Sequence, residues 1–235
     1  MRQLQLGWTL YAADHDGRIV AARDGAVSPT SGAIWAPRFI DYGRDAANLT
    51  PETFPGPSPL IEYSGNDAST YHCPSDPVLL YVNTANSVPV RRVPRIRSRS
   101  LNCWVGGPGW ILSAPWRYAT SIDQLSDPGP SRTLTFVDER EDSINDGCFE
   151  IDMTGLSNSR ASTPRPELYR IVDYPAYWHR GGAGVAFADG HVSVHRWGDP
   201  RTIPNPNLVR VTPNVTSPHN ADVAWMQEHS PRLAP

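Results

Sequence analysis

The stretch YWHRGGAGVAFADGHVSVHRW, residues 177–197, has the most regular pattern of side chains in this sequence. Asp189 and Gly190 separate two runs of alternating apolar residues, which is typical of an antiparallel hairpin closed by a two-residue type I′ turn. Pairing residues across this turn sorts the side chains into an apolar face and a small or polar face. The apolar face would hold Val185, Phe187, Val192 and Val194, and the other would hold Ala186, Ala188, His191, Ser193 and His195.

The histidines of this stretch raise the question of a metal site. His191 and His195 have the four-residue spacing of zinc ligands on a helix, but on a strand this spacing separates them by roughly 13 Å. The strand therefore favours a polar face, exposed to solvent or covered by a loop, over a zinc site. His179 precedes a glycine-rich segment, and we expect it to pack beside the hairpin and to hydrogen-bond a turn or loop carbonyl, which is a structural role.

Composition limits the class of protein. The chain has 235 residues with 24 prolines and 18 glycines, which predicts short strands, many turns and long ordered loops. A formal charge of −3 disfavours a nucleic-acid partner. The one basic cluster, RRVPRIRSR at 91–99, is interpreted as a solvated loop or strand edge, with a patch for an acidic polymer or a partner subunit as the alternative.

Three cysteines are present, Cys73, Cys103 and Cys148, and none belongs to a CxxC pair. This pattern excludes a zinc knuckle or a thioredoxin-type motif. One disulfide with a free thiol and three free thiols both remain open as alternatives.

Periodicity predicts a helix at each end of the chain. Residues 2–13 carry apolar positions at helical spacing, and this helix resembles the lower half of a longer one, because the pattern is already running at its start. Residues 222–230 predict a second helix with Asp222 as N-cap. Strands are expected at 79–83, 98–105, 134–139 and 145–151.

Several segments resemble one protein family in order along the chain. His179 and Asp189-Gly190 match a His-x9-Asp-Gly signature, YHCPSD at 71–76 is similar to an aromatic-x-Cys-Pro-Ser-Asp segment, and SRSLNCWVGG at 98–107 is similar to a Ser-Tyr-x-Met-Asn segment. The chain thereby resembles the bacterial prepilin-type, pseudopilin-like proteins, related to type IV pilins and type II secretion pseudopilins.

The resemblance implies an α+β, pilin-like fold in which an N-terminal helix packs on an antiparallel sheet with long loops. Residues 1–17 would be the C-terminal part of the pilin-type helix, and residues 18–235 the globular head. It also implies a non-enzymatic structural subunit of a cell-envelope filament or type II secretion-like assembly, with other pilin-like subunits as partners. The family's apolar leader, with its cleavage and methylation site, does not occur in this sequence. The full-length form is expected to be an extracytoplasmic protein, anchored in the inner membrane by that segment and processed by a prepilin peptidase.

The acidic segment DEREDSINDG, 138–147, is a candidate cation site. Carboxylates of Asp138, Glu139, Asp142 and Asp146 could converge on calcium, although the EF-hand pattern does not fit, and a solvated acidic turn is the alternative. No other cofactor is expected. Asp138 and Glu139 would point to opposite faces of a strand, which disfavours a glycosidase pair.

A second function from a different class uses the aromatic residues around CWVGGPGWILSAPW. Trp104, Trp110 and Trp116 could stack on a polysaccharide, which would make the chain an exported, membrane-anchored carbohydrate-binding module. The competing interpretation places these rings in the core.

Overall fold

A computed structural model describes residues 1–22, 33–37, 39–40, 57–82, 91–107, 116–156, 163–205 and 213–233. Within these ranges the helices are α1 (Arg2–Asp14) and α2 (Ala221–Glu228). The strands are β1 (Leu79–Val82), β2 (Arg91–Pro94), β3 (Arg99–Asn102), β4 (Leu134–Asp138), β5 (Cys148–Phe149), β6 (Arg170–Ile171), β7 (Gly182–Phe187), β8 (Val192–Arg196) and β9 (Val215–Thr216). The predicted terminal helices and the four predicted strand regions are confirmed.

A five-stranded sheet organises the chain, in the order β5-β3-β4-β7-β8. Its neighbours are antiparallel except β3 and β5, which are parallel. The fold is therefore mixed α/β with a leading helix, and the expectation of a purely antiparallel sheet is wrong at this edge. The cause is that the chain turns back after β4 and passes to the far side of β3, where a disulfide joins Cys103 to Cys148.

Helix α1 packs by one face, because its apolar residues recur at helical spacing. Leu4, Trp8, Tyr11 and Ala12 are buried, against the 3-10 segment Glu62–Ser64 and one face of the sheet. The side chain of Thr135 on β4 donates to Gln5 on the helix. No helix within the described ranges combines the length and hydropathy of a membrane span.

The hairpin of β7 and β8 is confirmed, but its predicted register is wrong by one residue. Ala186 lies opposite Val192, and the turn is a three-residue loop in which the Gly190 nitrogen donates to the Phe187 carbonyl at 2.9 Å. Gly190 has φ +97°, a left-handed conformation that glycine adopts without a steric penalty.

This shift moves the polar residues of β8 to the other face of the sheet. His191 stacks on Phe187 and His195 on Trp225, while Val192 joins the α1 side. The prediction assumed one buried face, whereas every residue of β7 is buried. With apolar layers on both sides, the apolar alternation of this strand did not determine the register.

Helix α2 belongs to the layer opposite α1. Its N-cap is Asn220, whose side chain accepts from the backbone of Asp222 and Val223, so the predicted Asp222 cap is wrong. The Asp222 carboxylate instead accepts the backbone amides of Gly198 and Asp199. The chain beyond β8 is thereby fixed to the start of α2.

Candidate functional site

Three side chains from distant segments meet at the α1 side of the sheet. The sulfur of Cys73 lies 3.4 Å from Nε2 of His179, and the same nitrogen lies 3.5 Å from Oδ2 of Asp138. The three ligand atoms lie within 4.8 Å of one another. We call this group the Cys–Asp–His cluster.

Asp138 is held from two sides at the end of β4. Nε of Arg99 donates to Oδ1 at 3.2 Å, and the amide of Gly184 on β7 donates to Oδ2 at 3.2 Å. A Cβ at position 184 would lie 2.6 Å from Oδ2, so a glycine is needed for the carboxylate to approach the strand. The HRGGAG segment therefore serves this contact as well as the turn before β7.

Cys73 is positioned by the turn that YHCPSD forms. Its amide donates to Oγ of Ser98 at 2.7 Å, and its carbonyl accepts from the amide of Asp76 at 2.9 Å. The Asp76 carboxylate accepts from Nη2 of Arg95 at 2.6 Å. The thiol is therefore fixed by backbone contacts to the chain that leads into β3.

His179 lies in a tight turn just before β7. Its amide donates to the Gly182 carbonyl at 3.1 Å, and Arg180 and Gly181 both have positive φ. The prediction that the ring of His179 hydrogen-bonds a carbonyl is wrong. Its Nε2 atom instead faces the Cys73 thiol and the Asp138 carboxylate. The prediction that His179 packs beside the hairpin agrees with this position.

The cluster holds a thiol and an imidazole with shifted acidities. Burial, assisted by the Asp138 charge, raises the pKa of Cys73 to about 11. The hydrogen bond with Asp138 raises the pKa of His179. The Cys73 thiol and the Asp138 carboxylate both face the same nitrogen of His179, Nε2. The cluster therefore differs from a nucleophile–base–acid relay, in which the two ring nitrogens contact different partners.

An open groove of about 590 Å³ reaches the cluster from solvent. It is lined by Trp178, His179, Arg180, Val194 and Arg196. His179 connects the groove to the cluster, because its side chain is 29% exposed while that of Asp138 is 2% exposed. A small polar molecule or an anion could reach the imidazole along this path.

The last three arginines of the basic cluster at 91–99 are internal, which contradicts both interpretations for these residues. Arg95, Arg97 and Arg99 are buried. Arg97 donates to the Asp146 carbonyl at 2.5 Å and to Oγ of Ser100 at 3.1 Å. These guanidinium groups bind the acidic segments of the chain, so they offer no surface patch.

The four carboxylates proposed for calcium do not converge. Asp138 pairs with Arg99, Glu139 accepts from Ser100 and Ser143, Asp142 pairs with Arg140, and Asp146 accepts from the backbone of Cys148. No three of the four bring ligand oxygens within 4.8 Å of one another among the described residues. Alternation along β4 and pairing with buried arginines direct them apart, and burial, reinforced by Asp173, raises the pKa of Glu139.

The two halves of the His-x9-Asp-Gly pattern lie at opposite ends of β7. His179 precedes the strand, and Asp189 and Gly190 form the turn after it. The carboxylate of Asp189 accepts from His191 at 2.6 Å and is far along the strand from the cluster. The nine residues between His179 and Asp189 therefore cover strand β7 and the parts of the two turns that flank it.

The aromatic residues considered for sugar binding are not equivalent. Trp104 is buried and donates from Nε1 to the Ile151 carbonyl at 2.7 Å, which makes it a core residue. Trp116 is half-buried beside the same apolar layer. Trp110 lies outside the described residues.

Sequence reasoning identified His179 and Asp138 separately but missed their meeting with Cys73. The available signal was that Cys73 and His179 lie in segments singled out by the family resemblance, and that Asp138 lies in the acidic segment considered for a cation. The structure pairs Cys103 with Cys148 and leaves Cys73 as a free thiol, one of the two alternatives left open. Searches against protein-family models, curated proteins and solved structures find no match for this chain.

Proposed function

We propose that this chain is a pilin-like structural subunit of a cell-envelope filament or a type II secretion-like assembly. The observation that carries the proposal is the division of α1 into two apolar faces. One face packs on the body of the protein, while Leu6 and Leu10 on the other are 55% and 43% exposed. One turn apart, these leucines form an apolar strip that a neighbouring helix can cover.

The disulfide supports an extracytoplasmic location. Cys103 and Cys148 are both buried and join the loop after β3 to β5. Disulfides persist in oxidising compartments and are rare in reducing ones. An exported subunit, made as a membrane-anchored precursor and processed by a prepilin peptidase, fits this chemistry.

The buried polar network supports a structural role. Arg95 joins the chain before β3 to Asp76 and to the Glu141 carbonyl after β4, Arg97 donates to the Asp146 carbonyl before β5, and Arg99 on β3 pairs with Asp138 at the end of β4. Such a network fixes the relative positions of loops that a short-stranded sheet would leave loosely held. A subunit that must keep one shape within an assembly benefits from this rigidity.

Cross-linking in the native host tests the proposal. The full-length precursor is expressed with Leu6→Cys or Leu10→Cys and treated with a thiol cross-linker. We expect adducts with pilin-like partners, identified by mass spectrometry, because α1 would lie against neighbouring helices. Ser126→Cys, at an exposed site outside α1, is the matched control. The proposal fails if the α1 variants give no more adduct than the control.

A further inference from the structure

We infer that Cys73, Asp138 and His179 form a binding site for a transition-metal dication, and that Zn²⁺ fits it best. This inference goes beyond the proposed structural role, which requires no metal. The donor set is one thiolate sulfur, one imidazole nitrogen and one carboxylate oxygen. These are the three ligand types that zinc accepts in proteins.

Two of the three ligand separations match the edges of a tetrahedral zinc site, and the third is within 4.8 Å. Ordinary zinc–ligand bond lengths place a sulfur and a nitrogen ligand about 3.6 Å apart, and a nitrogen and an oxygen ligand about 3.4 Å apart. The observed separations are 3.4 Å from Cys73 to His179 and 3.5 Å from His179 to Asp138. An ion could therefore enter with little rearrangement of the three side chains.

The surroundings orient each ligand, as the outer contacts of metal sites do. Arg99 donates to Oδ1 of Asp138, which leaves Oδ2 facing the imidazole. Ser98 accepts the Cys73 amide, and the turn at Arg180 and Gly181 fixes the imidazole. These contacts belong to three separate segments, so a bound ion would link them.

The fourth ligand would come from the groove. His179 lies both in the cluster and on the groove wall, next to Arg180 and Arg196. A dication with a thiolate, a carboxylate and the nearby Arg99 guanidinium leaves a net positive centre. Water or a small anionic ligand would therefore complete the coordination, favoured by the two arginines of the groove.

A second group of potential ligands does not compete. Cys103, Cys148 and Glu150 also bring ligand atoms within 4.8 Å of one another. The two sulfurs are bonded to each other and are not available as thiolates. With the disulfide intact, Cys73 is the thiol that can bind a metal among the described residues.

The test uses the whole chain without a histidine tag, with its disulfide intact and stripped of metal by a chelator. Zinc is titrated by calorimetry and thermal unfolding, and cobalt serves as a spectroscopic probe. We expect one ion per chain, a higher melting temperature, and a thiolate-to-cobalt charge-transfer band. Cys73→Ser should abolish the band, and His179→Gln should weaken affinity at least tenfold, because loss of even an outer-shell partner of a metal ligand costs about 10- to 100-fold.

The control is His191→Gln, which removes an exposed histidine outside the cluster and should leave affinity and spectrum unchanged. Near-ultraviolet circular dichroism reports whether each variant is folded. Binding that survives Cys73→Ser with an unchanged spectrum overturns the inference. If the variants do not fold, the wild-type cobalt spectrum decides, because a spectrum without a thiolate band also overturns it.

Discussion

The buried arginine side chains of this protein act as internal connectors. Arg97 is fully buried and donates from its Nη atoms to carbonyls of Arg99, Asn145 and Asp146 and to the Ser100 hydroxyl. Burial lowers its pKa to about 10, so it remains charged at neutral pH. One guanidinium thereby satisfies backbone groups that no regular strand pairs.

Replacing Arg97 with methionine tests this role. The variant removes the donors and leaves the carbonyls buried, so we expect the free energy of unfolding to fall by about 3–5 kcal/mol. Urea unfolding measures the change. Arg132→Met is the matched control, since Arg132 is exposed and lies 3.9 Å from Glu228, and it should cost less than about 1 kcal/mol. Equal losses for both variants would contradict the connector role.

At the scale of elements, β8 and α2 are joined by a stack of aromatic rings. The imidazole of His195 stacks on Trp225 with centroids 3.7 Å apart, and His229 stacks on the same indole at 4.2 Å. Burial lowers the pKa of both histidines below 6.5. Folding therefore favours the neutral form of both imidazoles over the charged form.

This stack predicts a loss of stability in acid. A group whose pKa is lower when folded contributes stability that is complete above its unfolded pKa and lost as pH falls through its folded pKa. We expect the unfolding free energy of the wild type to fall between about pH 7 and about pH 5 more steeply than that of His195→Gln. Urea titrations across this range measure the slopes. Parallel curves for the two proteins would rule out this source of acid sensitivity.

Sequence patterns predicted the elements but not every relation between them. The period of α1 and the Asp189-Gly190 turn are local signals, and both elements are present. The hairpin register depended on whether one or both faces of β7 are covered. That question was decided by α2 and the chain around it, which are remote in sequence, so the alternation of apolar residues could not answer it.

At the scale of the whole molecule, the candidate site could be predicted only in fragments. Cys73 and His179 are separated by 106 positions, and Asp138 reaches them from a third segment. Arg95, Arg97 and Arg99 mislead in the same way, because each guanidinium has partners in distant segments of the chain. Charge at 91–99 indicated a surface, whereas the distant carbonyls and carboxylates make burial favourable.

The disulfide is the covalent link across this loop-rich chain, and it joins residues 45 positions apart. Closing a loop of that size restricts the unfolded chain and stabilises the folded state by about 4 kcal/mol in the chain-entropy treatment. We expect a reductant to lower the melting temperature of a Cys73→Ser background in which this is the only disulfide possible. The double variant Cys103→Ser, Cys148→Ser in that background should start at the lower temperature and show no response to reductant. A wild-type melting temperature that is unchanged after full reduction, verified by thiol counting, would show that the buried arginine network holds β5 beside β3 without the covalent link.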